Sequence, residues 1–188
     1  MTKDKMKKVV CQAIDEAAEK IHETVLRIES EPELGYKEMK TAAKVESYMK
    51  ELGLMPQTGL ALTGVKTCVD GGKKGPAVAV LAELDAVGTP DSPKADPLTG
   101  AAHTCGHFLQ MASMLAACTG IVKSGVMQDL AGSAVFFAVP AEEYVEIDYR
   151  KRLVKEGKIH FLGGKSELVY EGHFDDIDMA MMMHSQGN

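Results

Sequence analysis

The chain packs His103, Cys105 and His107 into five residues, inside Ala101-Ala-His-Thr-Cys-Gly-His-Phe-Leu-Gln110. Imidazole and thiolate are both good ligands for zinc and similar divalent metals. In an extended stretch the three side chains project to one side, because a strand repeats every two residues. Gly106 would let the backbone bend tightly into a helix expected from Met111 to about Val122. The positive end of that helix would favour a nearby thiolate or carboxylate. A short Cys/His cluster needs partners elsewhere to be a site, and alone it reads equally well as a buried Cys and two His in a loop.

Candidate partners stand at the ends of apolar runs. Ala77–Ala82 is continuously apolar, as a strand buried on both faces of an α/β sheet would be, and it runs into Glu83-Leu-Asp85. Ser133–Val139 runs into Pro140-Ala-Glu-Glu143, and Asp178–Ser185 reads as a third buried strand ending in His184. Ligand sites in α/β sheets gather at such strand ends. Asp85 is equally a turn or cap residue, and Glu142 with Glu143 would equally serve as the charged first turn of a helix. Cys105, His107, Glu143 and His184 make a mixed N/O/S metal set, leaving Glu142 as a spare carboxylate. A divalent metal acidifies bound water and polarises a carbonyl, and a carboxylate beside that water can pass its proton to a leaving amine. That is the minimal kit for metal-assisted amide hydrolysis. His22, His160 and His173 lack such company and read as surface or loop histidines.

The positioning elements follow from periodicity. Val9, Val10, Ala13, Ile14, Ala17, Ile21, Val25 and Ile28 stripe a helix over 5–29. A turn at 30–35 precedes a second helix, 38–52, stopped by Gly53. One strand pattern covers 59–69, a Gly/Pro turn 70–76, a loop 88–100 and a charged helix 146–157. The 188 residues suit one domain or a little more, and 45% apolar with 26% charged residues is ordinary for a globular protein. A net charge of −6 argues against nucleic-acid or anionic-membrane binding. Scattered cysteines and the lack of a secretory apolar segment lead us to expect a reducing, cytoplasmic setting.

Pro32-Glu-Leu-Gly35 with Glu38 and Thr41, Glu83-Leu-Asp85 with the following Ala, His103-Thr-Cys-Gly-His107, Pro140-Ala-Glu-Glu143 and His184 occur in one order along nearly the whole chain. In this the chain resembles the N-terminal part of metal-dependent amidohydrolases of the aminoacylase/carboxypeptidase group. The branch it looks most like holds hippurate, N-acyl-amino-acid, auxin-conjugate and aminobenzoyl-glutamate hydrolases. The resemblance implies a three-layer α/β/α zinc-peptidase-like catalytic domain, here residues 1–188, incomplete at its C-terminal part and without an inserted dimerisation domain. It implies two divalent metal ions (Zn or Mn, with Co or Ni as alternatives) on Cys105, His107, Glu143 and His184. Glu142 would be the general base, with Asp85 and His103 supporting the ligands from behind. The implied reaction is hydrolysis of the amide bond of an N-acyl amino acid or small peptide-like substrate. The chain departs from the pattern at Phe108, where the branch carries Asp or Asn, and it ends at Asn188, about where relatives enter the inserted domain. An alternative is therefore a catalytically incomplete fragment that mainly associates with a partner, as a homo-oligomer or with a complementing C-terminal half. A third reading makes Cys105 a nucleophile activated by His103 or His107.

Overall fold

In the computed structural model, which describes residues 1–185, the N-terminal apolar stripe forms α1 (Lys3–Glu29). Thr2 caps it, accepting from the Lys5 N–H at 3.4 Å, and Ala13, Ala17, Ile21, Val25 and Ile28 form its buried face. The second helix, α2 (Met39–Glu51), is capped from outside. The Glu33 carboxylate accepts from the Lys40 N–H (3.1 Å), the Thr41 N–H (2.8 Å) and the Thr41 hydroxyl (3.0 Å). The Glu33 carbonyl accepts from the Ala86 N–H at 2.8 Å, so this turn ties the start of α2 to the end of a central strand.

The expected strand over 59–69 is two strands, β1 (Gln57–Leu60) and β2 (Gly64–Asp70). Ala61 and Leu62, with φ of 44° and 76°, turn the chain between them, a left-handed step that apolar residues do not advertise in sequence. Next come β3 (Lys73–Glu83), the short β4 (Val87–Gly88) and β5 (Ala101–Ala102), α3 (His107–Ser124) and β6 (Ala131–Val139). The chain continues through α4 (Ile147–Lys155), α5 (Gly164–Tyr170) and β7 (Met179–Met182).

The five-stranded sheet has the order β1-β2-β6-β3-β7. β1, β2 and β6 pair antiparallel, whereas β6, β3 and β7 run parallel. Its register explains how remote residues meet. Glu83 pairs with Val139 and Leu81 with Met182, so the three parallel strands finish side by side. Asp85, Glu142–Glu143 and His184 all follow those ends. The β4–β5 pairing, Val87 with Ala102, returns the Cys/His stretch to the same edge.

β6 shows the layering. Phe136 and Ala138 pack on one face with α1, α2 and α3, while Phe137 and Val139 pack on the other with Leu153 of α4 and Leu168 of α5. The result is the expected three-layer α/β/α arrangement. One expectation fails: β7 is not a buried strand. Met179, Met181 and Met182 are exposed, because β7 lies at the sheet edge with only β3 beside it among the described residues.

Gly132 sits opposite a register break between Lys73 and Ala77, at φ 86°. A β-carbon there would overlap the Pro76 carbonyl oxygen. Gly132→Ala should lower stability by about 2 kcal/mol or more, read as a lower urea midpoint at unchanged slope. Gly53→Ala, at φ 82° with nothing within 4 Å, serves as the control for conformational strain alone. Equal losses in the two variants would show that the Pro76 contact is not limiting.

Candidate metal centre

α3 begins at His107, four residues earlier than its apolar pattern suggests, with Gly106 left-handed at φ 94° just before it. The expected extended presentation of His103, Cys105 and His107 is therefore not what forms. β5 ends at Ala102, and the first turn of α3 rather than a strand aims His107.

The buried His107 ring is held by Asp85. Its Nδ1–H donates to the Asp85 carbonyl at 2.7 Å, with Asp85 Oδ1 at 3.3 Å. That fixes the tautomer and turns the Nε2 lone pair outward. Nε2 then faces Glu83 Oε2 at 3.0 Å, Glu143 Oε1 at 3.7 Å and Glu142 Oε2 at 3.9 Å. His184 repeats the arrangement. Its Nδ1 faces the Ser185 carbonyl at 2.7 Å, and its Nε2 lies 3.4 Å from Cys105 Sγ. The two imidazoles meet edge-on at 5.9 Å.

A buried lone pair among carboxylates calls for a cation. Without a metal the cation is a proton: burial alone would lower the His107 pKa, but Asp85 and Glu83 more than reverse this and push it up to about 11. The donor set equally suits a metal ion. Cys105 Sγ and the nitrogens of His107 and His184 lie within 4.8 Å of one another, as do donor atoms of Glu83, His107 and Glu142. Both sets share His107.

Asp85 lies beside His107 and Glu143. It is fully buried, and its Oδ2 accepts the Glu143 N–H at 2.9 Å while its backbone holds His107. His103 is a different matter. Both its nitrogens are buried without a partner among the described residues, and its ring leans on Phe108 at 5.8 Å. Burial, and then the charge of His107, lower its pKa to about 4, so it is a neutral group packed behind the cluster. Glu142 and Glu143 stand in the loop before α4, so they are not the first turn of a helix. Burial, then the charges of Glu83 and Glu143, raise the Glu142 pKa. Burial, then a hydrogen bond with Glu143, raise that of Cys105. A thiol so disfavoured as thiolate is a poor free nucleophile.

Glu83 and Lys165 carry no weight in the sequence-derived site. Glu83 is buried, paired with Lys165 of α5, and bonded to Gln110 Nε2 at 2.9 Å. Burial pushes its pKa up, but bonds to His107, Lys165 and Gln110 prevail and hold it at about 2. Its signal was available, since it lies two residues before Asp85 on the same strand end. Lys165 comes from the opposite layer and has no local signal.

The site is thus a metal-ready cluster at the ends of parallel strands in a three-layer fold. No family profile matches the chain. The Bacillus subtilis protein YhaA, whose name assigns it to the amidohydrolases, is 28% identical over 182 residues, covering 95% of this chain and 41% of its own length. An N-acyl-L-amino acid amidohydrolase of Geobacillus stearothermophilus is 27% identical over 187 residues, 98% of this chain and 45% of its own. Among solved structures, Bacillus subtilis YxeP, described as a dinuclear metal-binding peptidase of the M20 family, superposes with a TM-score of 0.70 at 22% identity, covering 89% of this chain and 43% of its own. The resemblance is borne out: the chain is similar in sequence to amidohydrolases and carboxypeptidases and shares the fold of the matching part of the YxeP structure. It spans about two fifths of the length of the relatives it matches.

Glu83 supplies a pH test on the metal-free chain. Its pKa is held at about 2 against an ordinary 4.5, so its contribution is complete above the ordinary value and is lost as pH falls toward the folded one. In chelator, the wild-type urea midpoint should fall more steeply below about pH 4.5 than that of Glu83→Gln. Parallel curves would show that Glu83 is not held as described.

Proposed function

We propose that this chain carries the metal-binding and base-bearing part of an amidohydrolase acting on N-acyl amino acids or small peptide-like amides. The observation that carries the reading is the convergence of Cys105 Sγ with ring nitrogens of His107 and His184, the buried His107 ring being fixed through Nδ1 to the Asp85 carbonyl. Two divalent ions, zinc or manganese with cobalt or nickel as alternatives, would be held by Cys105, His107, Glu143 and His184. When bound, the metal supplies Lewis-acid polarisation of the scissile carbonyl and acidifies the attacking water. Asp85 orients His107 through its carbonyl and Glu143 through Oδ2, and His103 fills the space behind. Glu142, half-buried with a raised pKa, takes the proton of the attacking water on a carboxylate oxygen. It returns that proton to the amide nitrogen as the C–N bond breaks, leaving a carboxylic acid and a free amine.

We place the protein in the cytoplasm, in keeping with its four free cysteines. No helix among the described residues is long and apolar enough to cross a membrane. The exposed methionines of β7 favour a second reading, in which this chain mainly associates with a copy of itself or with a complementing chain.

The test is elemental analysis after dialysis, together with turnover of N-acetyl and N-benzoyl amino acids. About two metals per chain, lost in Glu143→Ala and His184→Ala, are expected. Glu142→Gln should keep its metal and lose about 10²–10⁴-fold in turnover. Full activity in Glu142→Gln, or activity surviving exhaustive chelation, would overturn the reading. Metal uptake near pH 8 should also release protons to a weakly buffered solution, because His107 is protonated without metal and the Cys105 thiol is held above its ordinary pKa of 9.0.

A further inference from the structure

The turn that carries Glu142 and Glu143 is held from behind by a fully buried cation. Arg150 of α4 has no exposed surface. Its Nη1 donates to the carbonyls of Ala141 (3.3 Å) and Leu162 (2.7 Å), and its Nη2 donates to that of Glu143. At the other end, the fully buried Glu38 accepts the Ala141 N–H at 2.8 Å while the Thr63 hydroxyl donates to its second oxygen at 2.7 Å. With the Asp85 contact, the N–H and C=O of both Ala141 and Glu143 are each bonded by a side chain. The two carbonyls also accept backbone N–H groups, Ala141 from Gly164 at 3.1 Å and Glu143 from Val145 at 2.8 Å, whereas the two N–H groups are bonded by the Glu38 and Asp85 side chains.

This segment needs holding. Ala141 adopts φ 52°, a left-handed conformation that costs an alanine about 1–2 kcal/mol. Three carboxylates also crowd the far side of the turn, around His107. Space around the guanidinium is fully used: a β-carbon at Gly35 would overlap Arg150 Nη2, and the Tyr36 and Tyr144 rings lie 5.5 and 5.8 Å from its Cζ. A buried guanidinium whose two Nη groups meet only carbonyls, and whose Nε has no partner among the described residues, is expensive to desolvate, so packing alone does not account for it.

We infer that Arg150, opposed by Glu38, is a positioning residue that sets the Glu142–Glu143 turn at the height where Glu143 can join His107 on a metal and Glu142 can reach the adjacent water. The inference rests on the metal-centre reading above and adds a residue from the opposite layer that no ligand motif contains. It makes Gly35 of the Pro32-Glu-Leu-Gly35 turn part of the site's support, because only glycine leaves room for the guanidinium.

Cobalt(II) titration of the full chain tests it, since the visible spectrum reports coordination geometry and thiolate ligation. Arg150→Met should bind cobalt about 10–100-fold more weakly, with shifted d–d bands and unchanged secondary structure. Arg150→Ala should regain affinity when guanidinium ion is added. Leu153→Ala, buried on the same helix in the cluster that also holds Ala141 but giving no hydrogen bond to the turn, should lose stability with little change in cobalt affinity. If Arg150→Met does not fold, Arg150→Lys is read in the same way, because an ammonium cannot span all three carbonyls. Wild-type affinity and spectrum in a folded Arg150 variant would overturn the inference and leave the metal reading standing. A wild-type chain that binds no cobalt would overturn both.

Discussion

Three carboxylates of Glu83, Glu142 and Glu143 approach one imidazole nitrogen of His107, and the rest of the site answers to that crowding. Two unit charges about 4 Å apart interact by about 4 kcal/mol at an effective dielectric of 20. Acids so placed separate or take up protons unless cations are shared among them. Lys165 is committed to one oxygen of Glu83, and His107 supplies the other positive charge when protonated. A divalent ion on His107 Nε2 would replace that proton with twice its charge. The carboxylates are therefore arranged around a point where positive charge is favoured.

Parallel pairing makes the crowding unavoidable. Because β3, β6 and β7 run the same way and finish in register, whatever follows their last residues meets at one edge. The N-terminus of α3 opens onto the same edge, and its positive end opposes the gathered acids. Asp85 then works in three directions with few atoms: its carbonyl and one oxygen orient His107, and its other oxygen holds the Glu143 backbone.

What could be read from sequence follows the range of each signal. Helix stripes and buried strands are local patterns, and 5–29, 77–82 and 133–139 each became the element they suggested. Cys105, His107, the acid pair and His184 were legible because their types are chemically unusual where they stand. The turn that splits 57–70 into two strands was hidden, because Ala61 and Leu62 take a conformation their side chains do not announce. The apolar run before His184 looked buried because methionine says nothing about sheet position; only the strand order shows that β7 is an edge. Arg150 and Lys165 could not be read at all. Their meaning comes from helices folded across the opposite face, and in sequence they are two cations among 21.

Rigidity is unevenly distributed among the donors. His107 is buried and fixed by Asp85, and Glu143 is fixed through its backbone, but His184 is exposed and follows an edge strand whose outer side is unpaired among the described residues. An ion reaching the cluster would therefore find most of its ligands preorganised and would order the last one by binding it. The free energy of that contact would be shared between metal affinity and the stability of β7, because a ligand that binds only the ordered state stabilises whatever it orders. Any segment that paired with the open side of β7 would act on the same balance from the other direction. By fixing His184 in advance it would raise metal affinity without touching the ion, which couples the sheet edge to the chemistry through a single side chain.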